Sequence, residues 1–291
     1  MQDSISVRTP AKINLSLDIL GKRHDGYHFV RTIMQAVSLF DEISIELKDT
    51  NEIRIFCDTP GIPCDHRNLV HKAAIAFFEY VEKEPVGMDI KIDKKIPALA
   101  GLAGGSSNAA GMIVALNELL DTNLSVHDLC EIGEAVGADV PFCILGATAV
   151  AEGVGDIINP LPNLPECYIV IVKPEINIST AEAFNKYDSL EASKVSDYDD
   201  IIAGLAMQDI EKISSLLFNA LEFASSNEEI EKIKETMLDM DALGSIMTGS
   251  GSAVYGIFDK KRYASKCAEE LSKNYDFVEI CSPLSCGVEI I

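Results

Sequence analysis

Residues 97 to 111 read Pro-Ala-Leu-Ala-Gly-Leu-Ala-Gly-Gly-Ser-Ser-Asn-Ala-Ala-Gly, between a strand-like run, Met88 to Ile92, and a helix-like run, Met112 to Leu120. A connection built this way demands a strand-loop-helix unit whose backbone can approach an anion. Gly101, Gly104 and Gly105 tolerate positive φ and close contact. Ser106 or Ser107 is expected to cap the helix, whose first N–H groups then point at a ligand. The same composition also serves as a plain strand-to-helix turn. Two known phosphate loops are excluded: no lysine follows as in a P-loop, and the glycine spacing and downstream acid of the dinucleotide fingerprint are missing.

Three further blocks stand beside this loop. Pro10-Ala11-Lys12-Ile13-Asn14-Leu15-Ser16-Leu17 is followed by Gly21-Lys22-Arg23-His24-Asp25-Gly26-Tyr27-His28; Gly137-Ala138-Asp139-Val140-Pro141-Phe142 follows the loop, and Met247-Thr248-Gly249-Ser250-Gly251-Ser252-Ala253-Val254-Tyr255-Gly256 comes last. In this order, across almost the whole chain, they resemble the GHMP kinase superfamily of galactokinase, homoserine kinase, mevalonate kinase and phosphomevalonate kinase. The glycine loop resembles motif 2 and the last block motif 3. Within the superfamily, Pro-Ala-Lys-Ile-Asn-Leu, Asp-Gly-Tyr-His and Gly-Ala-Asp-Val-Pro-Phe resemble the 4-diphosphocytidyl-2-C-methyl-D-erythritol kinases of non-mevalonate isoprenoid synthesis. One departure is visible: Ala100 and Ala103 stand where many relatives carry Gly, and an added methyl tightens or redirects such a loop.

The resemblance implies an α+β, two-domain GHMP kinase fold, with an N-terminal domain like the second domain of ribosomal protein S5 and a C-terminal ferredoxin-like sandwich. It also implies ATP-dependent phosphorylation of the substrate's free 2-hydroxyl. Asp139 is then the base and Lys12 the cation beside it, a sensible pair, since phosphoryl transfer asks mainly for positioning and charge stabilisation. The ATP phosphates are expected on Pro97, Ala98, Leu99, Ala100, Gly101, Leu102, Ala103, Gly104, Gly105, Ser106 and Ser107, with Asn68 and Lys95 toward the adenine. For the acceptor, Asn14 falls near the methylerythritol end. Tyr27 and His28 supply the stacking face and edge hydrogen bonds a cytosine needs, and the segment with Thr180 and Phe184 closes over the base. Gly249, Ser250, Gly251 and Ser252 form the motif 3 turn, at the phosphates or only packed against them. His24 and Arg31 read as surface groups. Magnesium is expected with ATP, and Ser107 is the one residue named as its ligand.

The residues themselves suggest where these motifs sit. Ile13, Leu15, Leu17 and Ile19 alternate with polar residues, so Lys12 to Leu20 reads as a half-buried strand with Lys12 and Asn14 on the face opposite Ile13. Strands are also expected at 43–47, 53–55, 168–173, 245–248, 254–258 and 277–280, and helices from Asn68 to about Glu82 and from Val126 to Val136. Gly153-Val154-Gly155 and the proline-rich 160–165 segment interrupt regular structure. They place a domain boundary between residues 160 and 161, giving an ATP-binding and catalytic domain over 1–160 and a second domain over 161–291.

Composition narrows the function classes. At 291 residues the chain is long for one core, and 47% hydrophobic content is enough for two. No apolar run of membrane-spanning length occurs, and Met1-Gln2-Asp3-Ser4 lacks the layout of a signal peptide, so a cytoplasmic enzyme is expected. The eight cysteines are scattered singly, without zinc spacing, and read as reduced buried thiols. A formal charge of −22 argues against nucleic acid as a partner. It also opposes the alternative of a non-catalytic nucleotide- or RNA-binding module on an S5-like fold. A GHMP-type kinase of another small alcohol is the other alternative, but it has no base to recognise with Asp-Gly-Tyr-His. Residues 1–31 carry five Lys or Arg against three Asp, whereas 188–241 hold fourteen acids and four lysines. A locally basic site on an acidic body is therefore expected. The partner is a small molecule, on a monomer or homodimer.

Overall fold

The computed structural model describes residues 3–190, 194–225 and 227–291; Met1 and Gln2 of the N-terminal segment and Glu191 of the acidic stretch lie outside them. The first half contributes β1 (Ser4–Lys22), β2 (His28–Lys48), β3 (Ile53–Phe56), α1 (Leu69–Tyr80), β4 (Gly87–Asp93), α2 (Gly104–Leu119), α3 (Val126–Val136), α4 (Val140–Leu145), β5 (Thr148–Glu152) and β6 (Ile157–Pro160). The second contributes β7 (Tyr168–Lys173), α5 (Thr180–Tyr187), α6 (Tyr198–Met207), α7 (Ile210–Ser215), β8 (Phe218–Asn219), α8 (Glu228–Asp239), β9 (Gly244–Met247), β10 (Val254–Phe258), α9 (Lys261–Leu271), β11 (Phe277–Cys281) and β12 (Glu289–Ile290).

Two sheets organise these elements. The first runs β12-β1-β2-β4-β3, with β5 on β2, β6 on β5 and β8 on β1. The second runs β11-β7-β10-β9 and is antiparallel throughout. Helices α1, α2 and α3 cover one face of the first sheet, through a core of Phe77, Phe78, Ile113, Leu116 and Leu129 against Ile43, Ile45 and Ile90. Helices α8 and α9 cover the second sheet through Ile233, Met237, Ala264 and Cys267. The architecture is α+β, two sheets each covered by helices on one face.

Strand β1 differs from the half-buried strand expected. It starts at Ser4 and is buried on both faces from Thr9 to Ile19. Between Pro10 and Ala11 its pairing with β2 skips Ser38 and Leu39, a bulge that bends the ribbon. Its odd-numbered residues thereby pass through three cores. Ile5 and Val7 lie under α1 and α2, Ala11, Ile13 and Leu15 pack with Ile169, Ile171 and Tyr255 of the second half, and Leu17 and Ile19 reach the core under α8 and α9. In β7 the alternation divides the same way, with Ile169 and Ile171 facing β1 and Val170 and Val172 facing α8 and α9. The polar face of β1 is enclosed because a cleft and the helix behind it cover that side.

The glycine-rich segment is shorter as a loop than its composition suggests. Helix α2 begins at Gly104, with Ala103 in the left-handed region (φ 56°) at the N-cap position and no side-chain cap. Ser106 and Ser107 therefore lie in its first turn and do not cap it. The small residues from 104 to 111 are needed for approach: a Cβ on Gly111 would stand 2.3 Å from Thr9 Cγ2, so α2 rests directly on β1. Asn68 does cap α1, its Oδ1 accepting from the Val70 N–H at 2.9 Å.

Candidate active site

Three chain segments meet at the mouth of the glycine loop. Gly101 (φ 74°) packs so closely on the motif 3 turn that a Cβ would lie 2.1 Å from the Thr248 carbonyl oxygen. Gly249 (φ 55°) returns the contact, and a Cβ there would stand 3.2 Å from Lys12 Nζ. Main-chain bonds fasten the junction: the Lys12 N–H donates to the Leu102 carbonyl at 3.2 Å and the Ala253 N–H to the Ala100 carbonyl at 3.1 Å. A cleft of about 590 Å³ opens here, lined by residues 97–106 and by Lys12, Asn14, Asn68, Asp139, Thr180, Phe184, Gly249 and Ser250. In the first turn of α2 the earliest helical bond is from the Ser107 N–H to the Ala103 carbonyl. The N–H groups before it lack intrahelical partners and form an anion seat at the positive end of the helix dipole.

Lys12 is almost wholly buried, and its ammonium donates to Asn14 Oδ1 at 2.7 Å. Asn14 is itself fixed: its Nδ2 donates to Thr32 Oγ1 at 2.8 Å, and its Oδ1 accepts from Thr248 Oγ1 at 3.2 Å. Among the described residues no carboxylate lies within 4.0 Å of Lys12 Nζ, so its direct partner is a neutral amide and not Asp139. Asp139 occupies the N-cap position of α4 with φ −80°, and its side chain makes no capping bond. The carboxylate is thereby left for the cleft. Lys12 and Asp139 do share a neighbour. Burial pushes the Cys143 thiol upward, Asp139 adds to that shift, and Lys12 opposes it.

Behind the Phe184 wall of the cleft, His28 is buried, stacks on Phe184 at 4.8 Å between ring centroids, and bonds Asp188 Oδ1 through Nε2 at 2.7 Å. Lys22 joins the same carboxylate from the other side. The hydrogen bonds of Lys22 and then of His28 hold the Asp188 carboxyl below its usual range. Phe184 thus does both: it lines the cleft and packs, partly buried, on the edge of the core under α8 and α9. Tyr27 is 68% exposed, and neither it nor His28 lines the cleft directly. Thr180, first residue of α5, lies 3.1 Å from Ser250 through their hydroxyls.

Several residues named from sequence are not at the cleft surface. The Ser107 hydroxyl is fully buried and donates to the Pro10 carbonyl at 2.6 Å. Gly251 (φ 88°) and Ser252 lie beneath the motif 3 turn, where Ser252 Oγ donates to the Ile176 carbonyl. Lys95 is exposed and pairs loosely with Asp93 at 3.7 Å. Its neighbour Lys94 is the one turned inward, lining the cleft and paired with buried Asp41. Alternation had carried that signal: Met88, Ile90 and Ile92 are buried, and Lys94 continues their face. The expected basic surplus of residues 1–31 is also largely neutralised, because Arg8, Lys22, Arg23 and Arg31 pair with Glu42, Asp188, Asp25 and Asp18. Arg31 also lies over the Tyr198 ring at 4.1 Å, whereas His24 is exposed as expected. Asn219, missed in the sequence, ties the motif 3 turn down with two 2.8 Å bonds to the carbonyls of Met247 and Gly249.

Comparison with known proteins adds independent findings. The GHMP kinases N terminal domain family matches residues 68–147, and the GHMP kinases C terminal family matches 201–276. The chain is 42% identical to the 4-diphosphocytidyl-2-C-methyl-D-erythritol kinase of Clostridioides difficile (strain 630), covering 99% of this chain and 98% of that one. It is 41% identical to the protein of the same name from Thermoanaerobacter pseudethanolicus, covering 98% of each. A solved 4-(cytidine 5'-diphospho)-2C-methyl-D-erythritol kinase superposes with a TM-score of 0.81 at 28% identity, covering 96% of this chain and 99% of that chain. Homoserine kinase from Cytophaga hutchinsonii superposes at 0.80 with 23% identity and shares the fold.

Proposed function

Because the chain belongs to the GHMP kinases, and within them to the 4-diphosphocytidyl-2-C-methyl-D-erythritol kinases, it is an ATP-dependent small-molecule kinase, and we propose how its cleft divides the work. The reaction is transfer of the γ-phosphoryl group of ATP to the 2-hydroxyl of 4-diphosphocytidyl-2-C-methyl-D-erythritol. The acceptor oxygen bonds to the γ-phosphorus, the bond from that phosphorus to the β,γ-bridging oxygen breaks, and ADP leaves with the electron pair. The acceptor proton passes to the Asp139 carboxylate. Lys12, aimed by Asn14, faces the transferring group and offsets its charge.

ATP phosphates rest on the loop from Gly101 and the first turn of α2, with Lys94 beside them and Asn68 toward the adenine. Tyr27, His28 and Phe184 hold the cytosine, with Asp188 fixing the imidazole, and Thr180 and Ser250 close the rim between the two substrates. The observation that carries this reading is that a strand-borne lysine and a helix-start aspartate face one glycine-loop cleft, whose far wall includes Phe184 with His28 stacked behind it.

Magnesium would arrive with the nucleotide. Among the described residues no group of three His, Cys, Asp or Glu could cage it, and the Ser107 hydroxyl is already committed to Pro10, so the protein side does not fit a protein-built metal site. Phosphate oxygens and water would supply most of its shell. We assign residues 1–160 to the ATP-binding and catalytic domain and 161–291 to the second. We place the enzyme in the cytoplasm, a reading supported by eight free thiols, and no described helix is long and apolar enough to cross a membrane.

The test is ADP release with ATP, magnesium and 4-diphosphocytidyl-2-C-methyl-D-erythritol, beside homoserine, mevalonate and no acceptor. Turnover is expected only with the cytidyl substrate, with inhibition by CDP. Turnover with homoserine or mevalonate and indifference to CDP would overturn the acceptor assignment.

A further inference from the structure

Asp41, in the middle of β2, is fully buried and carries a carboxylate with four hydrogen-bond donors around it. Oδ1 accepts from the main-chain N–H groups of Lys95 at 2.7 Å and Ile96 at 2.8 Å. Oδ2 accepts from Asn108 Nδ2 at 2.8 Å and from Lys94 Nζ. All four donors lie on the two segments that flank the glycine loop, the chain entering it and the helix leaving it. Asn108 is braced further by Thr9 Oγ1 at 3.0 Å. A buried carboxylate needs pairing and full hydrogen bonding to be tolerated, and this one has both.

The geometry has a second consequence for Lys94. Its side chain is only 6% exposed, yet it lines the cleft, and its Nζ stands 2.7 Å from the point where a Cβ on Gly104 would be. An ammonium has three donors. One goes to Asp41, which leaves two on an ammonium standing beside the first turn of α2. By gripping the N–H groups of Lys95 and Ile96 at the same time, Asp41 fixes which of the two adjacent lysines faces inward. We infer that Asp41 is a positioning residue for nucleotide binding: it acts through Lys94, holding that cation at the glycine loop where the phosphates of ATP lie. This rests on the reading of the cleft as an ATP site.

Asp41→Asn separates positioning from general stability. The amide oxygen can still accept from Lys95 and Ile96, so the chain entering the loop is retained, while the amide NH2 faces the Lys94 ammonium and the Asn108 amide. Calorimetric titration with magnesium-ATP, without acceptor, is run on wild type, Asp41→Asn, Lys94→Gln and the double variant, with steady-state KM for both substrates alongside. Each single variant should weaken ATP about tenfold, the double should lose no more than about twofold beyond Lys94→Gln, and the acceptor KM should move less than twofold. Unchanged ATP affinity in either single variant, additive losses in the double, or equal loss of both substrates would overturn the inference. If Asp41→Asn does not fold, Asp41→Glu is judged on the same criteria. A wild type that fails to bind ATP would instead overturn the ATP reading of the cleft.

Discussion

Asp139 stands at a helix start without serving as its cap, which leaves the carboxylate to the cleft. Asp139→Asn should therefore lower kcat by about 10²- to 10⁴-fold, the usual worth of a positioned base, while ATP affinity measured by titration stays within about threefold of wild type. A turnover number within tenfold of wild type would remove Asp139 from its role. The thiols allow a second expectation. Burial pushes Cys167, Cys267 and Cys281 up to about 12, from an ordinary value near 9. At pH 8 a thiol-specific dye should label exposed Cys64 quickly and these three only on unfolding. Because their folded values are raised, the stability they contribute is complete below about pH 9 and is lost as pH rises toward 12. Thermal melts should decline over that window.

Residue types showed the chemistry better than residue positions did. Lys12, Asn14 and Asp139 were legible because each sits in a dense block, and all three line the cleft. Lys95 was expected at the nucleotide although the alternation of Met88, Ile90 and Ile92 points on to Lys94, because β4 ends at Asp93 and a doubled lysine does not show whether that alternation persists past the strand end. Which lysine turns inward depends on Asp41, more than fifty residues earlier in the chain. Asn219 and Asp188 were missed for the same reason, since each acts on a partner far away in sequence.

At the scale of elements, the glycine loop and the motif 3 turn interlock through Gly101 and Thr248. Gly101→Ala would force a methyl against a carbonyl oxygen at a backbone angle that costs an L-residue about 1–2 kcal/mol before any clash is counted. We expect a loss of more than about 2 kcal/mol in denaturant unfolding, and ATP affinity should fall with it; a variant matching wild type in both would show that the two turns are not locked. Strands and helices were mostly placed from periodicity: α3, β7 and β10 fall where the pattern put them. The start of α2 was not, because a left-handed Ala103 replaces a side-chain cap and Gly-Gly-Ser-Ser continues as helix. Nor was the double burial of β1, since polar residues facing an enclosed cleft look in sequence like residues facing water.

For the whole molecule, the first sheet ends at Pro160 and the second begins at Tyr168, which supports the proposed boundary, yet β8 and β12 return to the first sheet. Ala11, Ile13 and Leu15 also face the second half across one apolar core. A fragment of residues 1–160 should therefore not fold as an independent unit. Poor dispersion in its NMR spectrum is expected, and a cooperative melt of the isolated fragment would contradict it.

The same core limits how substrates can enter. A lysine on a strand gripped by both halves cannot be carried away by rotation of one half against the other, because such a swing would open an apolar seam to water. Admission and release must come from small parts near the rim. Helix α5 is suited to this, being eight residues long with Ala183 its one buried side chain among the described residues. The enzyme is thus built as a stationary bench with a light latch.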